Sequence, residues 1–339
     1  MAELKKKDAY NVAIAGATGA VGETFLEILE ERNFPIAKLK LLASKRSAGK
    51  KIKFKGTEYT VEELTHDCFD DVDIALFSAG GGRSKEFAPS AVKAGAVVVD
   101  NSSAFRMDDD VPLVVPEVNP HAVKEHKGII ANPNCTTIIM VVALQPLHAF
   151  SKVKKAVVSS YQSSSGAGAQ AMEELMEQAR QWTKGEKLTV DKFAHQLLFN
   201  VIPHIDSFQE NGYTKEEMKM FNETRKIMGD KDVKVSSTCV RVPVLSAHSE
   251  AVTVTTEDEI TVEKAKELFA AAPGIEVMDN PDNLEYPMPL FCAGDDTCYV
   301  GRIRKDLTDD NTLTFWVVGD QLRKGAATNA VQIAELLIK

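Results

Sequence analysis

The chain has 339 residues, of which 44% are hydrophobic and 26% charged, as is typical of globular domains in water. This length predicts two domains, each large enough to bury its own core. The formal net charge of −9 and the shortness of the basic stretches argue against nucleic-acid binding, and no apolar stretch approaches the roughly 20 residues that cross a bilayer.

The five cysteines are an odd number, widely spaced and without a CxxC pair. Neither a disulfide framework nor a zinc site is therefore expected, and we predict no bound metal. The first residues lead directly into an apolar strand and a glycine loop, without the apolar segment of a signal peptide. These features predict a cytoplasmic protein with reduced thiols.

The first third of the sequence alternates short apolar strands with a helical pattern. The predicted elements are strands at 11–16, 39–44, 72–80, 96–103, 111–119 and 128–134, with an amphipathic helix at 22–33. Strand, helix and strand in repetition predict an α/β domain with a Rossmann-like, doubly wound parallel sheet.

From about residue 152 the strands alternate apolar and polar residues, which favours an antiparallel sheet with one covered face. The predicted elements are strands at 152–162, 248–257, 297–306 and 311–320, and helices at 168–182, 214–228 and 325–338. Thr214 and Glu217 have the spacing of a capping box at the start of the second helix. This part is predicted to be a mixed α+β domain, and the last helix to return to the first domain.

The segment "GATGAVG" places Gly16, Gly19 and Gly22 between the first strand and the first helix. Bare backbone amides and a helix N-terminus there are suited to a dinucleotide pyrophosphate, although a glycine-rich turn without a ligand is the alternative. After the second strand, "ASKRSAGK" offers donors and cations instead of the acidic residue that NAD enzymes use for the ribose. The pattern favours NADP.

Cys135 lies in "NPNCTT", between a polar turn and an apolar helical pattern. A thiol at a helix N-terminus is stabilised as the nucleophilic thiolate. Of the seven histidines, His248 follows Arg241 by seven residues in "RVPVLSAH", so two strand-like segments around a turn are expected to bring a cation and an imidazole together. A small buried thiol and a satisfied surface histidine remain the alternatives.

Eight motifs, in the same order along the chain, resemble those of the aspartate-semialdehyde dehydrogenase family over essentially the full length. They are "GATGAVG", "SAGGGRSKEFAP", "DNSSAFRMD", "NPNCTT", "YQSSSGAG", "EEMKM", "RVPVLSAH" and "NAVQIAE". The resemblance implies an NADP-binding domain at 1–133 and 325–339, a catalytic and dimerisation domain at 134–324, and a homodimer.

The resemblance also implies a reaction. Cys135 would attack the aldehyde of aspartate 4-semialdehyde to give a thiohemiacetal, Gln162 would position the reacting group, and His248 would move protons. Hydride would then leave for NADP, and phosphate would displace Cys135 from the resulting thioester to give 4-phospho-L-aspartate. In the cell the reaction would run in the reductive direction, towards lysine, threonine, methionine and diaminopimelate.

The remaining site residues are implied by position in the same motifs. Arg241 and Glu216 would bind the amino-acid end of the substrate, while Arg106, Lys219 and Asn134 would hold phosphate. The implied cofactor residues are Gly16, Thr18, Gly19, Ala20, Val21, Gly22, Ser44, Arg46, Ser47, Ser78, Ser165, Gly166 and Asn329. Lys45 departs from the small residue expected there, which bears on the choice between NADP and NAD.

Two other functions remain open from the sequence. One is a related thiol-dependent reductase acting on N-acetylglutamyl phosphate, glyceraldehyde phosphate or malonyl-CoA, although "NPNCTT" favours the aspartyl enzyme. The other is a non-catalytic NADP-binding regulator, against which Cys135, Gln162 and His248 together argue.

Overall fold

The structure, a computed structural model, describes residues 4–339. The chain forms two compact units: the first runs through Asn134 and includes Ala326–Lys339, and the second is Cys135–Gly325. Within residues 4–339, no helix combines the length and apolar character needed to span a bilayer.

The elements up to Asn134 form a six-stranded parallel sheet and a separate antiparallel pair, β3 and β4, with a helix after the first strand and another after the sixth. They are β1 (Tyr10–Ala15), α1 (Ala20–Glu31), β2 (Ile36–Ala43), β3 (Lys51–Phe54), β4 (Thr57–Thr60), β5 (Glu62–Glu63), β6 (Ile74–Phe77), α2 (Gly81–Lys93), β7 (Val97–Asp100) and β8 (Ile129–Ala131). The sheet order is β5-β2-β1-β6-β7-β8. Every neighbouring pair in it is parallel, so the predicted doubly wound sheet is confirmed.

The elements from Cys135 onward form a second six-stranded sheet with helices. They are α3 (Cys135–Phe150), β9 (Val153–Gln162), α4 (Ala169–Lys184), α5 (Lys215–Ile227), β10 (Lys234–Arg241), β11 (His248–Thr256), α6 (Val262–Ala271), β12 (Ile275–Val277), α7 (Pro289–Cys292), β13 (Cys298–Lys305), β14 (Thr312–Gly319) and α8 (Thr328–Ile338). The last helix, α8, belongs to the first unit.

The first unit buries both faces of its sheet. Val12 and Ile14 of β1 pack into a core with Phe25 of α1 and Val331 of α8. The alternate β1 residues, such as Ala13, pack in a separate core on the other face, which includes Ala88 and Ala91 of α2. Because both faces are covered, the central strands β1, β6 and β7 are almost wholly apolar and buried, as buried parallel strands require.

Several elements of the first unit differ from the sequence-based prediction, among them the short strands β3, β4 and β5, which were not predicted. Residues 111–119 do not form the predicted strand; only Leu113 pairs, in a single bridge to Ala131. Pro112 and Pro116 have no amide hydrogen to donate, so the segment pairs with β8 at the edge of the sheet only through Leu113. Helix α2 was not predicted, because the glycines at its start and Pro89 within it are poor helix formers.

The second sheet has the order β10-β9-β11-β14-β13-β12. The four predicted strands, β9, β11, β14 and β13, are mutually antiparallel, whereas β10 and β12 add parallel pairs at the two edges. Along β9 the buried residues alternate with exposed ones, which confirms that one face is covered. Helices α3, α5 and α6 pack on this sheet, so it is a mixed α+β arrangement.

Candidate active site

The glycine loop of the first unit has no room for side chains at two of its positions. Gly16 has a φ of +93°, and a Cβ there would lie 2.4 Å from the carbonyl oxygen of Ser78. A Cβ on Gly22 would lie 2.2 Å from the carbonyl oxygen of Gly16. The loop therefore packs closely against the residue that follows β6 and leads into the N-terminus of α1. The backbone amides there are suited to binding a pyrophosphate.

The other predicted cofactor residues of the first unit lie at the same edge of its sheet. Ser44 and Ser47 form the turn that follows β2, where the Ser47 amide donates to the Ser44 carbonyl at 2.8 Å. Ser47 is buried and Arg46 is exposed. Ser78 directly follows β6. Because the carboxyl ends of parallel strands meet at one edge, this is where dinucleotides bind in such folds.

Arg106 is a buried cation, with 7% of its surface exposed, held by backbone carbonyls of the first unit. Its Nε donates to the Asn132 carbonyl at 2.9 Å, and its Nη2 donates to the Asn101 carbonyl at 3.0 Å. Its loop is anchored by Asp100, whose carboxylate accepts hydrogen bonds of 2.6 Å from the hydroxyls of Ser84 and Ser102.

Two further predicted residues, Asn134 and Asn329, are buried in the first unit. The side-chain amide of Asn329 donates to the Val114 carbonyl at 3.0 Å and to the Asn132 side chain at 2.6 Å. These bonds tie the start of α8 to the segment before Cys135.

Helix α3 begins at Cys135, so the sulfur lies in the first turn, where the helix dipole favours a negative charge. The residue is partly exposed, unlike the buried Cys239, Cys292 and Cys298. Space for it depends on Gly325, where a Cβ would lie only 2.9 Å from the Cβ of Cys135. A glycine at position 325 therefore permits the approach of the two backbones.

Three predicted residues form one row across the second sheet. Arg241 at the end of β10 pairs with Gln162 at the end of β9. Ser249 pairs with Tyr161, so His248, one residue earlier on β11, lies at the level of Gln162. All three side chains of the row are on the buried face, with exposures of 6%, 2% and 0% for Arg241, Gln162 and His248.

The amide of Gln162 has a defined orientation. Its Oε1 accepts a hydrogen bond from the Ser160 hydroxyl at 3.0 Å, and its Nε2 donates to Glu216 Oε1 at 3.1 Å. A carboxylate only accepts hydrogen bonds, so the nitrogen must face Glu216. The amide therefore has a fixed donor direction.

Helix α5 supplies a charged cluster beside this row. Its capping box is formed as predicted, since the Thr214 amide donates to Glu217 and the Glu217 amide donates to the Thr214 hydroxyl. Lys219 Nζ donates to Glu216 at 2.9 Å and to Asp206 at 3.0 Å. Burial opposes the charged form of Lys219, but Glu216 and Asp206 outweigh it and raise its pKa above the ordinary value.

Arg241 is fixed by its own hydrogen bond rather than by a carboxylate partner. Its Nη1 donates to the Ser163 carbonyl at 2.5 Å. Burial lowers the pKa of Arg241 from its ordinary value, partly opposed by the negative charges of Glu216 and of Cys135. The guanidinium is thus a desolvated cation in the electrostatic range of the Cys135 sulfur, where it favours thiolate.

His248 is fully buried, and its neighbours select one tautomer. The backbone amide of Ser163 donates to Nδ1 at 3.1 Å, so Nδ1 is the acceptor and the proton lies on Nε2. Burial, followed by the charge of Arg241, lowers the pKa of His248 to about 3. The resting imidazole is therefore neutral and presents an N–H at Nε2, which has no hydrogen-bond partner among residues 4–339.

Gly166 lies directly against the polar row. A Cβ at this position would lie 3.0 Å from His248 Nε2 and 3.1 Å from Arg241 Nη1. Next to it, the Ser165 hydroxyl is 2.9 Å from that of Ser163 and also accepts a hydrogen bond from Gln321. The absence of a side chain at Gly166 leaves the space into which His248 Nε2 and Arg241 Nη1 are directed.

Comparisons with known proteins agree with this geometry. The model of a semialdehyde dehydrogenase NAD-binding domain matches residues 11–126, and that of a semialdehyde dehydrogenase dimerisation domain matches residues 144–324. An aspartate-semialdehyde dehydrogenase of Aquifex aeolicus is 60% identical over 97% of this chain and 98% of its own length. The chain belongs to the aspartate-semialdehyde dehydrogenase family.

Two solved structures of the family are similar over almost the whole chain. Aspartate semialdehyde dehydrogenase II of Vibrio cholerae, complexed with ASA, has 49% identity and a TM-score of 0.96, covering 98% of this chain and 99% of its own. The Candida albicans enzyme with NADP has 26% identity and a TM-score of 0.75, covering 97% and 98% of the two chains.

In this member of the aspartate-semialdehyde dehydrogenase family, sequence reasoning did not identify several residues that shape the site. Asp206 is the second carboxylate on Lys219, Ser163 sets the tautomer of His248, and Gly325 makes room for Cys135. Ser163 belongs to the quoted "YQSSSGAG" motif, but its contact with His248 depends on the order of strands. Asp206 lies in an irregular segment with no motif to indicate it.

Proposed function

We propose that the chain catalyses the NADP-dependent interconversion of L-aspartate 4-semialdehyde and phosphate with 4-phospho-L-aspartate, through a thioester on Cys135. One observation carries the proposal: Arg241, Gln162 and His248 lie in one buried row, in the unit whose helix α3 begins at Cys135. The Vibrio cholerae relative complexed with ASA supports the substrate.

The physiological direction is reductive, towards lysine, threonine, methionine and diaminopimelate. The protein is a homodimer, as its match to a dimerisation domain supports, and it acts in the cytoplasm. Cysteines that form no disulfide within residues 4–339 agree with a reducing compartment.

The cofactor is NADP, which when bound supplies or accepts the hydride. The loop from Gly16 to Gly22, including Thr18, Ala20 and Val21, would hold the pyrophosphate, since side chains are excluded there and α1 offers its N-terminus. Arg46 and the hydroxyls of Ser44 and Ser47 would hold the 2′-phosphate. We assign Ser78, Ser165, Gly166 and Asn329 to the nicotinamide end.

Cys135 is the nucleophile of the proposed reaction. Its thiolate attacks the acyl phosphate and forms a C–S bond as the C–O bond to phosphate breaks, which leaves a thioester. After a hydride has reached this carbon, the tetrahedral oxyanion collapses, the C–S bond breaks, and the aldehyde and the thiolate are released. The α3 N-terminus and Arg241 stabilise the thiolate at both stages.

His248 acts on the carbonyl oxygen as a neutral donor. Because its proton lies on Nε2, it offers a hydrogen bond to the oxyanion that forms in each tetrahedral state. Collapse of a tetrahedral oxyanion does not require the oxygen to be protonated, so we assign His248 a hydrogen bond from Nε2 in place of the proton transfer that the resemblance implies. The second hydrogen of the Gln162 Nε2, beside the one given to Glu216, orients the reacting group.

The charged side chains divide between the two ends of the substrate. Arg241 binds the α-carboxylate through its guanidinium fork, and Glu216 binds the ammonium group. Arg106, Lys219 and Asn134 hold the phosphate. Each charge-assisted hydrogen bond contributes about 1.5–3 kcal/mol, which lets a protein of net negative charge bind an anionic acyl phosphate.

The test follows NADP reduction with aspartate 4-semialdehyde, with and without phosphate, in the wild type and in Cys135→Ser. We expect phosphate-dependent turnover that the variant loses. Cys68→Ser is the matched control, because Cys68 is the other partly exposed cysteine, and it should keep its activity.

Equal rates in the wild type and Cys135→Ser would contradict a catalytic thiol. Turnover of N-acetylglutamyl phosphate, glyceraldehyde phosphate or malonyl-CoA, without turnover of the aspartyl substrate, would assign the chain to a related reductase. Binding of NADP without any turnover would indicate a regulator.

A further inference from the structure

Ser163 contacts both of the side chains that point into the space in front of Gly166. Its carbonyl accepts a hydrogen bond from Arg241 Nη1 at 2.5 Å, and its backbone amide donates to His248 Nδ1 at 3.1 Å. Its hydroxyl oxygen lies 3.0 Å from the same Nδ1. Ser163 directly follows β9 and is fully buried. One residue of the sheet edge therefore holds the cation and the imidazole together.

The hydroxyl of Ser163 belongs to a short chain of buried polar groups. The side-chain amide of Gln321 donates to Ser165 Oγ, and Ser165 Oγ lies 2.9 Å from Ser163 Oγ. A longer contact of 3.4 Å joins Ser163 Oγ to Gln321 Oε1. The exposed fraction is 0% for Ser163 and His248, 2% for Ser165 and 3% for Gln321. Each hydroxyl has a single hydrogen, so the direction of the chain can be worked out from the acceptors.

One arrangement gives every hydroxyl hydrogen of this chain an acceptor. Among the residues that the structure describes, the acceptor within reach of the Ser165 hydroxyl hydrogen is Ser163 Oγ. If Ser163 donated to Ser165 instead, the Ser165 hydrogen would have no acceptor there, which is costly in a buried site. Ser165 therefore donates to Ser163. The Ser163 hydrogen goes to His248 Nδ1, which is nearer, at 3.0 Å, than Gln321 Oε1, at 3.4 Å.

The consequence for His248 is a ring held by two donors on one side. The amide and the hydroxyl of Ser163 both donate to Nδ1, and they restrict rotation of the imidazole about its Cβ–Cγ bond. Nε2 lies on the other side of the ring, with its hydrogen directed into the space beside Gly166. A Cβ at Gly166 would lie 3.0 Å from this nitrogen. A donor whose direction is fixed before the reaction stabilises an oxyanion better than one that must first be oriented.

We propose that Ser163 is a positioning residue of the proposed reaction: its hydroxyl, oriented by Ser165 and Gln321, holds the His248 ring so that the Nε2 hydrogen points at the reacting oxygen. The inference rests on the proposed function, because that function gives His248 Nε2 its task. Ser163 acts through His248 and takes no part in bond making or breaking.

The first test compares Ser163→Ala with Ser164→Ala. The alanine at 163 removes the hydroxyl and keeps the amide and the carbonyl, so kcat should fall by about threefold to tenfold, the effect of one hydrogen bond, while KM changes less than twofold. Ser164 is the matched control, because its hydroxyl is also buried but donates to the Val244 carbonyl at 3.1 Å. Its replacement should lower the melting temperature and leave kcat within about twofold of wild type. Equal falls in kcat for the two variants, or none for Ser163→Ala, would overturn the proposal.

The second test asks whether the effect passes through the imidazole. If it does, Ser163→Ala combined with His248→Ala should be no slower than His248→Ala alone, because the hydroxyl then has no ring to hold. Fully additive losses would show that the hydroxyl acts by another route and would overturn the proposal.

The third test does not depend on activity. In protein labelled with ¹⁵N-histidine, the resonances of His248 are assigned from their loss in His248→Gln. Ser163→Ala should move the Nδ1 resonance towards that of an imidazole nitrogen without a donor, while Nε2 stays protonated because the backbone amide still donates to Nδ1. Ser164→Ala should leave both resonances in place. An Nδ1 resonance that does not move in Ser163→Ala, or that moves equally in Ser164→Ala, would overturn the proposal.

Failure of the proposed function gives a different result. The wild type would then not turn over aspartate 4-semialdehyde, whereas the Nδ1 resonance would still move in Ser163→Ala. That combination would reject the reaction and confirm that the Ser163 hydroxyl holds the imidazole. Turnover in the wild type with an unmoved resonance would reject the role of Ser163 and leave the reaction in place.

Discussion

Gly166→Ala tests the space in front of His248. The added methyl group would lie 3.0 Å from both Cε1 and Nε2 of His248 and 3.1 Å from Nη1 of Arg241, where ordinary contacts are 3.4–4 Å. Both neighbours are buried in the sheet face, so they can yield by only a few tenths of an ångström. The backbone at Gly166 is not in the left-handed region, so alanine adds no conformational strain.

The expected loss has two parts. Overpacking a buried site typically costs about 1–3 kcal/mol, which should appear as a lower melting temperature. The methyl also occupies the space into which His248 Nε2 donates, and losing one oxyanion donor lowers kcat about 10²- to 10³-fold, or about 2.7–4 kcal/mol. The fold decrease in kcat, relative to wild type, should therefore be larger than any fold increase in KM.

The assay is steady-state NADP reduction with aspartate 4-semialdehyde and phosphate, with melting curves on the same preparations. Gly82→Ala is the matched control, because a Cβ there meets no atom within 4 Å and lies within α2. It should retain full activity. A kcat for Gly166→Ala within about twofold of wild type would refute the role of His248 Nε2 as a donor to the reacting oxygen.

Two further predictions concern the helix that carries Glu216 and the titration of His248. Thr214→Ala removes the N-cap of α5 and should cost about 1 kcal/mol of stability and raise KM, whereas Thr261→Ala, which removes the N-cap of α6, should cost the same stability without changing KM. Calorimetry measures the stability of both variants, and steady-state kinetics measures their KM values. Equal KM values for the two variants would contradict the prediction. The native pKa of His248, about 3, lies below its ordinary 6.5, so the unfolded chain binds the extra proton between these values and stability falls as pH falls. From pH 7 to pH 5 the wild type should lose about 2 kcal/mol more than His248→Gln in denaturant titrations, and parallel losses would show that the histidine is not held neutral.

Local patterns were sufficient to predict the elements that follow one regular pattern of apolar and polar residues throughout. The apolar run of β1 and the alternation of β9 and β11 match the structure within a residue or two. Elements with mixed signals were missed: α2 contains glycines and Pro89, and β10 is a polar edge strand with the sequence KVSSTCVR. The apolar run at 111–119 led to the opposite error, a predicted strand that does not form, because two prolines prevent the segment from pairing as a strand.

The parallel sheet, the glycine loop, the start of α3 at Cys135 and the capping box of α5 can all be predicted from the sequence, because each follows from residues that are neighbours along the chain. The position of β9 between β10 and β11 depends on pairing between segments that are distant along the chain, which local patterns do not specify. That order brings Arg241, Gln162 and His248 into one row. It also places the Ser163 amide on His248, which fixes a proton position that no spacing in the sequence specifies.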